Sequence, residues 1–298
     1  MTSVSPRILL LGAGGRLGRV IARLGPAVVP VGRRAADFRT ACDIPSLVAR
    51  HAPDVVINAA AFTDVDGAES RESEAMAVNG HAVGLLAAAC ARRNIPLIHL
   101  STDHVFPSAP GRPWRPEDPP RPLSAYGRSK RLGEELIRLT GGRYLILRTS
   151  WLFGGGGRDF VGAILDRARR GGPVPVVADQ IGGPTPILPL AAALVALAHR
   201  VVALPELREI HHFTGAPDVS RAEFARAIIA CAGLGARVEE VTTEHLAAPA
   251  PRPLDARLDN TSLALRFGLS RPDWRLHLEA LIGRMKTGGA PLRETEPI

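Results

Sequence analysis

The sequence predicts a doubly wound α/β protein, a parallel sheet with helices on both faces and a smaller α/β unit built from the second half. Three observations point there. Short β-rich apolar runs alternate with helical patterns through the first 150 residues. The glycine-rich turn Gly12-Ala13-Gly14-Gly15-Arg16-Leu17-Gly18 follows the first of those runs. Beyond Trp151, glycine and proline cluster at 154–157, 171–175 and 182–186, and the regular alternation stops.

Taken in order, Arg7–Leu11 reads as the first strand and Leu17–Leu24 as the helix behind the glycine turn. Ala27–Val31 is the second strand, Ile44–His51 a short helix and Asp54–Asn58 the third strand. Ser70–Arg93 carries a long helical pattern, Pro96–Ser101 a strand, Ser124–Leu139 a helix and Tyr144–Thr149 another strand. In the second half, a helix at Leu188–Val202 and a strand at Glu209–Phe213 are expected to return to the main sheet. Ser220-Arg221-Ala222-Glu223 has the capping-box pattern that opens a helix. The expected division is 1–150 with the return segment 187–215 in one domain, 151–186 and 216–286 in the other, and a polar tail at 287–298.

Bulk composition narrows the function classes. The chain of 298 residues is 46% hydrophobic, and no apolar run reaches the roughly 18 residues of a membrane span. Ile8–Leu11 runs into glycines and lacks the pattern of a signal peptide, so a cytoplasmic protein is expected. Cys42, Cys90 and Cys231 lie far apart, and no Cys/His cluster has metal-ligand spacing, so no metal site is predicted. The net charge of +8 comes from scattered arginines with only 4% aromatic residues, which argues against nucleic acid and suits a small anionic substrate.

The glycine turn sits where a dinucleotide fingerprint must, between a first strand and its helix, so that backbone amides can approach a pyrophosphate. Gly12, Gly14, Gly15, Arg16, Leu17 and Gly18 are therefore candidate cofactor contacts in a Rossmann-type sheet. After the second strand come Arg33 and Arg34, where an acid would favour a ribose 2′-hydroxyl and arginine favours a 2′-phosphate. The reading is NADPH, with NADH possible. Asp43 and Ile44 follow at a distance suited to an adenine pocket, and Asn58, Ala59, Ala60 and Ala61 close the third strand with residues small enough for a cofactor to lie near the backbone.

Tyr126-Gly127-Arg128-Ser129-Lys130 supplies the chemistry. Positions four apart share a helix face, and a lysine cation nearby favours phenolate, drawing tyrosine toward useful proton transfer. The chain contains two tyrosines and two lysines, so such a pairing by chance is roughly a one-in-a-hundred event. Lys130 can also hold ribose hydroxyls. A hydroxyl at the end of an earlier strand completes the set. Thr102 is the better candidate to hydrogen-bond a substrate carbonyl, while Ser101 supports the turn. Asp103 either meets sugar hydroxyls or forms the turn.

These residues together resemble the dTDP-4-dehydrorhamnose reductase family, an extended short-chain dehydrogenase family that modifies sugar nucleotides. The similarity runs through Asn58–Thr63 with Val65-Asp66 and Ala68-Glu69, Val78-Asn79, Ser101-Thr102-Asp103 with Val105-Phe106, Tyr126 and Lys130. It continues in Arg148–Trp151, Asp179-Gln180 with Gly182, Pro184 and Thr185, and Arg252-Pro253 with Arg257–Asp259. The resemblance implies hydride transfer from NADPH to C4 of a nucleotide-linked 4-keto-6-deoxysugar. Tyr126 would protonate the developing alkoxide, Thr102 would polarise the carbonyl, and Asn79 would steady the backbone of the site, with Asn79, Ser101, Tyr126 and Lys130 also expected to contact the cofactor. Thr63, Val65 and Trp151 would line the sugar pocket, and Arg252 or Arg257 would pair with the diphosphate. The family usually has tyrosine where this chain has His104, which bears on the sugar contacts. A sugar-nucleotide epimerase or dehydratase holding NAD tightly, and a non-catalytic NADP-binding subunit, are the rival readings. The expected partner is the nucleotide sugar, with neither nucleic acid nor membrane, and a monomer or homodimer.

Overall fold

The structure is a computed structural model that describes residues 5–25, 27–41, 43–108, 111–156 and 159–287. Cys42, Gly157 and the tail from 288 onward lie outside these residues. The first strand, β1 (Ile8–Leu11), is an uninterrupted apolar run because both of its faces are covered. Ile8 and Leu10 enter one core and Leu9 and Leu11 the other, the two-residue alternation of a strand. The strands β2 (Val28–Val31), β3 (Val55–Asn58), β4 (Leu97–Thr102), β5 (Tyr144–Thr149) and β10 (Arg208–His212) join β1 in a parallel sheet of order β10-β5-β4-β3-β1-β2. The order reverses between β1 and β3, and at such a point ligands bind outside the carboxyl ends of the strands.

One face is covered by α1 (Arg16–Ile21), α8 (Ile187–Val201) and α11 (Thr261–Phe267). The other is covered by α2 (Ile44–His51), α5 (Ala82–Ala91) and α6 (Ala125–Leu139). Ile44–His51 and Tyr144–Thr149 fall where the sequence places them, and the return of 187–212 to the sheet follows expectation. The long helical pattern at 70–93 is divided. The segments α3 (Val65–Ser70) and α4 (Glu72–Met76) lead into a π turn at Ala77–His81 before α5. Among the described residues, the helical run Glu72–Ala91 is the one long and apolar enough to cross a membrane, and much of it is buried within the protein.

The glycine-rich second half is more regular than its composition suggests. It contains β6 (Leu152–Phe153), α7 (Phe160–Arg169), β7 (Val174–Val177), β8 (Ile181–Gly182) and β9 (Thr185–Pro186). After β10 come β11 (Val219–Ser220), α9 (Arg221–Ala232), β12 (Val238–Val241), α10 (Thr243–Leu246), β13 (Asp255–Ala256) and α12 (Trp274–Lys286). A separate core joins α7, α9, α12 and β7 through Phe153, Phe224 and Trp274. The expected capping box is present, with Ser220 and Glu223 bonding reciprocally at 2.6 and 3.0 Å. Residues 261–267 depart from the expected division. Leu263 and Phe267 pack in the sheet's core, and Ser262 meets His211 on β10 at 2.8 Å.

Candidate active site

A cleft of about 790 Å³ opens at the carboxyl ends of β1, β3, β4 and β5. Its dinucleotide end begins at the glycine turn. Gly12 has φ +80°, and a Cβ there would lie 2.5 Å from the Ala60 nitrogen. A Cβ on Gly18 would lie 2.2 Å from the Gly12 carbonyl, so α1 can pack onto the turn only as glycine. Gly14 borders the cleft with nothing within 4 Å of where its Cβ would stand, which leaves a backbone cradle open to a phosphate. Gly15, Leu17 and Gly18 also line it. Arg16 lines it too, but its guanidinium reaches Asp159 at 3.2 Å and ties the turn to the second half.

Beyond β2, the cleft takes Arg33, Phe38, Asp37 and Arg39. Arg39 grips Asp37 through both carboxylate oxygens and, with Arg33 nearby, holds that carboxyl down at about 2. Two guanidinium groups and an aromatic ring thus stand where a phosphorylated ribose and an adenine would lie, a donor set that fits NADP. Three expectations are corrected here. Arg34 is exposed and away from the cleft, Ile44 is buried in the sheet's core, and Asp43 precedes α2 without lining the site. Phe38 and Arg39 went unrecognised, although an apolar ring between charged residues after β2 was a readable signal.

Ala59, Ala60 and Ala61 form the floor. Asn58 and Asn79, expected as cofactor contacts, lie beneath it. Asn58 Oδ1 accepts from the Ala60 N–H at 3.0 Å, and its Nδ2 meets His99 Nδ1 at 3.1 Å. Asn79, in the π turn, accepts from the Phe62 N–H at 2.8 Å and donates to the Phe62 carbonyl and to Ser129 Oγ. Ser129 in turn donates to the Tyr126 carbonyl at 2.7 Å. The steadying of the backbone that the resemblance implies has this physical form, and π turns of this kind gather at such places.

Thr102, Tyr126 and Lys130 all face the cleft. Ser124 caps α6 by accepting from the Gly127 N–H, which fixes the first turn carrying Tyr126. Burial and the Asp103 carboxylate push the phenol up to about 12, and its hydrogen bond with Thr102 offsets part of that. Thr102 Oγ1 donates to Asp103 at 2.9 Å. Lys130 is 2% exposed and donates to the Leu100 carbonyl at 2.7 Å, with His99 Nε2 at 3.3 Å. Burial brings its ammonium down to about 8, with Glu134 opposing. The sequence expectation that lysine acidifies tyrosine is not what the geometry gives. The ammonium is bound to β4, and burial with Asp103 governs the phenol. Ser101 faces the cleft, yet its hydroxyl donates to Glu134 at 2.5 Å. Glu134 also receives Arg148 through two bonds of 2.9 and 2.6 Å, forming a buried layer under the site.

At the far end stand Thr63, Val65, Asp103, His104, Trp151 and Arg221. His104 packs edge-on against Tyr126 at 5.4 Å, and burial lowers its pKa, so the imidazole is neutral. Trp151 adopts φ +48°, an uncommon conformation for a bulky residue, and a Cβ on Gly182 would lie 2.9 Å from its ring. Neither expected diphosphate partner lines the cleft. Arg252 is bound to Asp66 by two bonds of 2.9 Å, and Arg257 to Asp255 at 2.8 and 2.6 Å. Arg221 lines this end of the cleft instead, a residue to which the sequence reading gave no role in the site.

Residues 6–287 match the family model described as RmlD substrate binding domain. A dTDP-4-dehydrorhamnose reductase of Burkholderia thailandensis is 40% identical over 285 residues, covering 90% of this chain and 95% of the relative. One from Mycobacterium tuberculosis is 38% identical, covering 92% of each chain. The crystal structure of dTDP-4-dehydrorhamnose reductase from Bacillus anthracis in complex with NADP superimposes with a TM-score of 0.86. It is 29% identical, and the match covers 94% of this chain and 100% of that one. The chain belongs to the dTDP-4-dehydrorhamnose reductase family.

Proposed function

We propose that the protein reduces the C4 keto group of dTDP-4-dehydro-L-rhamnose to give dTDP-L-rhamnose, with NADPH as reductant. The observation that carries this reading is one continuous cleft running from an open glycine turn to Thr102, Tyr126 and Lys130. Gly14 and its neighbours would hold the pyrophosphate, Arg33 and Arg39 the 2′-phosphate, and Phe38 the adenine. When bound, the reduced nicotinamide supplies a hydride to the sugar carbon.

The remaining work falls to side chains of this chain. A phenol held near 12 keeps its proton at neutral pH, so Tyr126 is a stored acid that releases it to the sugar oxygen only as negative charge develops there. Thr102 is placed to hydrogen-bond the same oxygen and polarise the carbonyl. Lysine has three N–H donors, and Lys130 gives one to Leu100 and stands 3.3 Å from His99, leaving a donor for the ribose hydroxyls. A dehydratase of this fold needs a carboxylate at position 104 to abstract a proton, and here that position is a neutral buried imidazole.

The test is product analysis. Purified protein given NADPH and dTDP-4-dehydro-L-rhamnose is expected to consume the two in equal amounts and form dTDP-L-rhamnose, read by chromatography. Consumption of neither, or release of an epimerised or dehydrated sugar without loss of NADPH, contradicts the reading.

A further inference from the structure

Arg221 is the first residue of α9, and its place is fixed from several sides. The Ser220–Glu223 capping box sets the first turn, and the Arg221 N–H donates to the Gln180 carbonyl at 3.1 Å. Its guanidinium lies 3.7 Å from the centroid of the Trp151 ring and 5.0 Å from that of Phe160. Stacking orients the planar group and leaves its N–H edge directed elsewhere.

That edge is unused. Among the described residues, the Arg221 side chain makes no hydrogen bond and no ion pair, although it has five donors and lines the cleft beside Asp103. The other arginines of the second half near this end are committed, Arg252 to Asp66 and Arg257 to Asp255. Burial draws Arg221 down to about 9, the Asp103 carboxylate opposes that fall and the Arg252 cation adds to it, so the buried guanidinium is only partly compensated. The nearby acid, Asp103, is already accepting from Thr102. An anion arriving here recovers the cost of holding the cation out of water.

We propose that Arg221, stacked on Trp151, is the residue that grips the diphosphate of the nucleotide-sugar substrate and so sets the distance between that diphosphate and Tyr126. This rests on the reading of the cleft as a sugar-nucleotide site. The substrate is joined to the nucleotide at the far side of the sugar ring from its keto carbon. A fixed guanidinium on the Trp151 wall would hold the charged group while the keto group meets Thr102 and Tyr126.

The test uses the intact protein and dTDP itself, so it does not depend on turnover. Titration calorimetry with dTDP is compared for the wild type, Arg221→Gln and Arg221→Lys, with thymidine and NADPH as controls. Arg221→Gln is expected to weaken dTDP binding by about ten- to a hundredfold, the loss of charge-assisted hydrogen bonds. Thymidine and NADPH affinities stay within about twofold, and Arg221→Lys recovers part of the loss because it keeps the charge without the planar fork. Unchanged dTDP affinity in Arg221→Gln overturns the proposal, as does a loss confined to the sugar, seen as a raised KM with normal dTDP binding. Should Arg221→Gln lose NADPH binding and hence its fold, Arg221→Lys decides, and dTDP affinity equal to wild type overturns the proposal. A wild type that binds dTDP but never oxidises NADPH refutes the reductase reading and leaves the Arg221 assignment standing.

Discussion

The two ends of the cleft are built in different ways. The dinucleotide end comes from successive strand–turn units, Gly12–Gly18, Arg33–Arg39 and Ala59–Ala61, and much of its recognition is backbone brought close by absent or small side chains. The substrate end gathers Thr63, Asp103, Trp151 and Arg221 from loops and helix starts far apart in sequence, and its recognition is by side chains. The difference teaches where charge becomes available. In a chain with 37 lysines and arginines, a guanidinium at the substrate end is free for an anion only if no carboxylate has claimed it. Arg252, Arg257 and Arg221 differ in that respect and in little else that a sequence displays.

The middle of the cleft rests on the buried Ser101–Glu134–Arg148 layer, so breaking it should damage the fold itself. Glu134→Ala leaves the Arg148 guanidinium unpaired at 1% exposure and is expected to destabilise the fold by about 3–5 kcal/mol in denaturant unfolding. A loss below about 1 kcal/mol would mean that this buried pair does not hold the middle of the cleft.

Lys130 sharpens the view of the middle. Its folded pKa of about 8 lies below the ordinary 10.5, so burial of the cation costs stability, in full below pH 8, and the cost fades as pH rises toward 10.5. The stability of the wild type relative to Lys130→Met should therefore improve by about 3 kcal/mol between pH 7 and 10.5, and a flat difference would mean that the ammonium is solvated.

Smaller effects divide the ends. Replacing Arg33 and Arg39 by serine should weaken NADPH about tenfold or more and NADH little, as fluorescence titration would show. Equal losses for both would place the 2′-phosphate elsewhere. Arg252→Gln is expected to raise the substrate KM by only a few-fold, since its ion pair with Asp66 is partly exposed and acts as a strap. A loss as large as that from Arg221→Gln would erase the distinction between the arginines.

How far the sequence could be read follows the same division. The glycine turn, the strands of the sheet and the Tyr126/Lys130 face depend on local spacing, so periodicity and motif found them. The π turn at 77–81 and the break at Arg71 were missed, because a helical pattern does not register a single inserted residue. Short strands such as β8 and β13, only two residues each, pair within glycine- and proline-rich stretches where tertiary contacts override local signals. Arg221 was passed over because the capping box around it explained the segment, and its openness depends on which carboxylates reach the other arginines.

The central claim is that Tyr126 is the proton donor of a cleft whose dinucleotide end does not depend on it. Tyr126→Phe removes one hydroxyl and leaves the ring's packing against His104 in place. With dTDP-4-dehydro-L-rhamnose, its kcat is expected to fall by about 10²–10⁴-fold, the usual weight of a general acid, while NADPH affinity stays within about twofold. Turnover near that of the wild type, or loss of NADPH binding in step with kcat, would contradict the account.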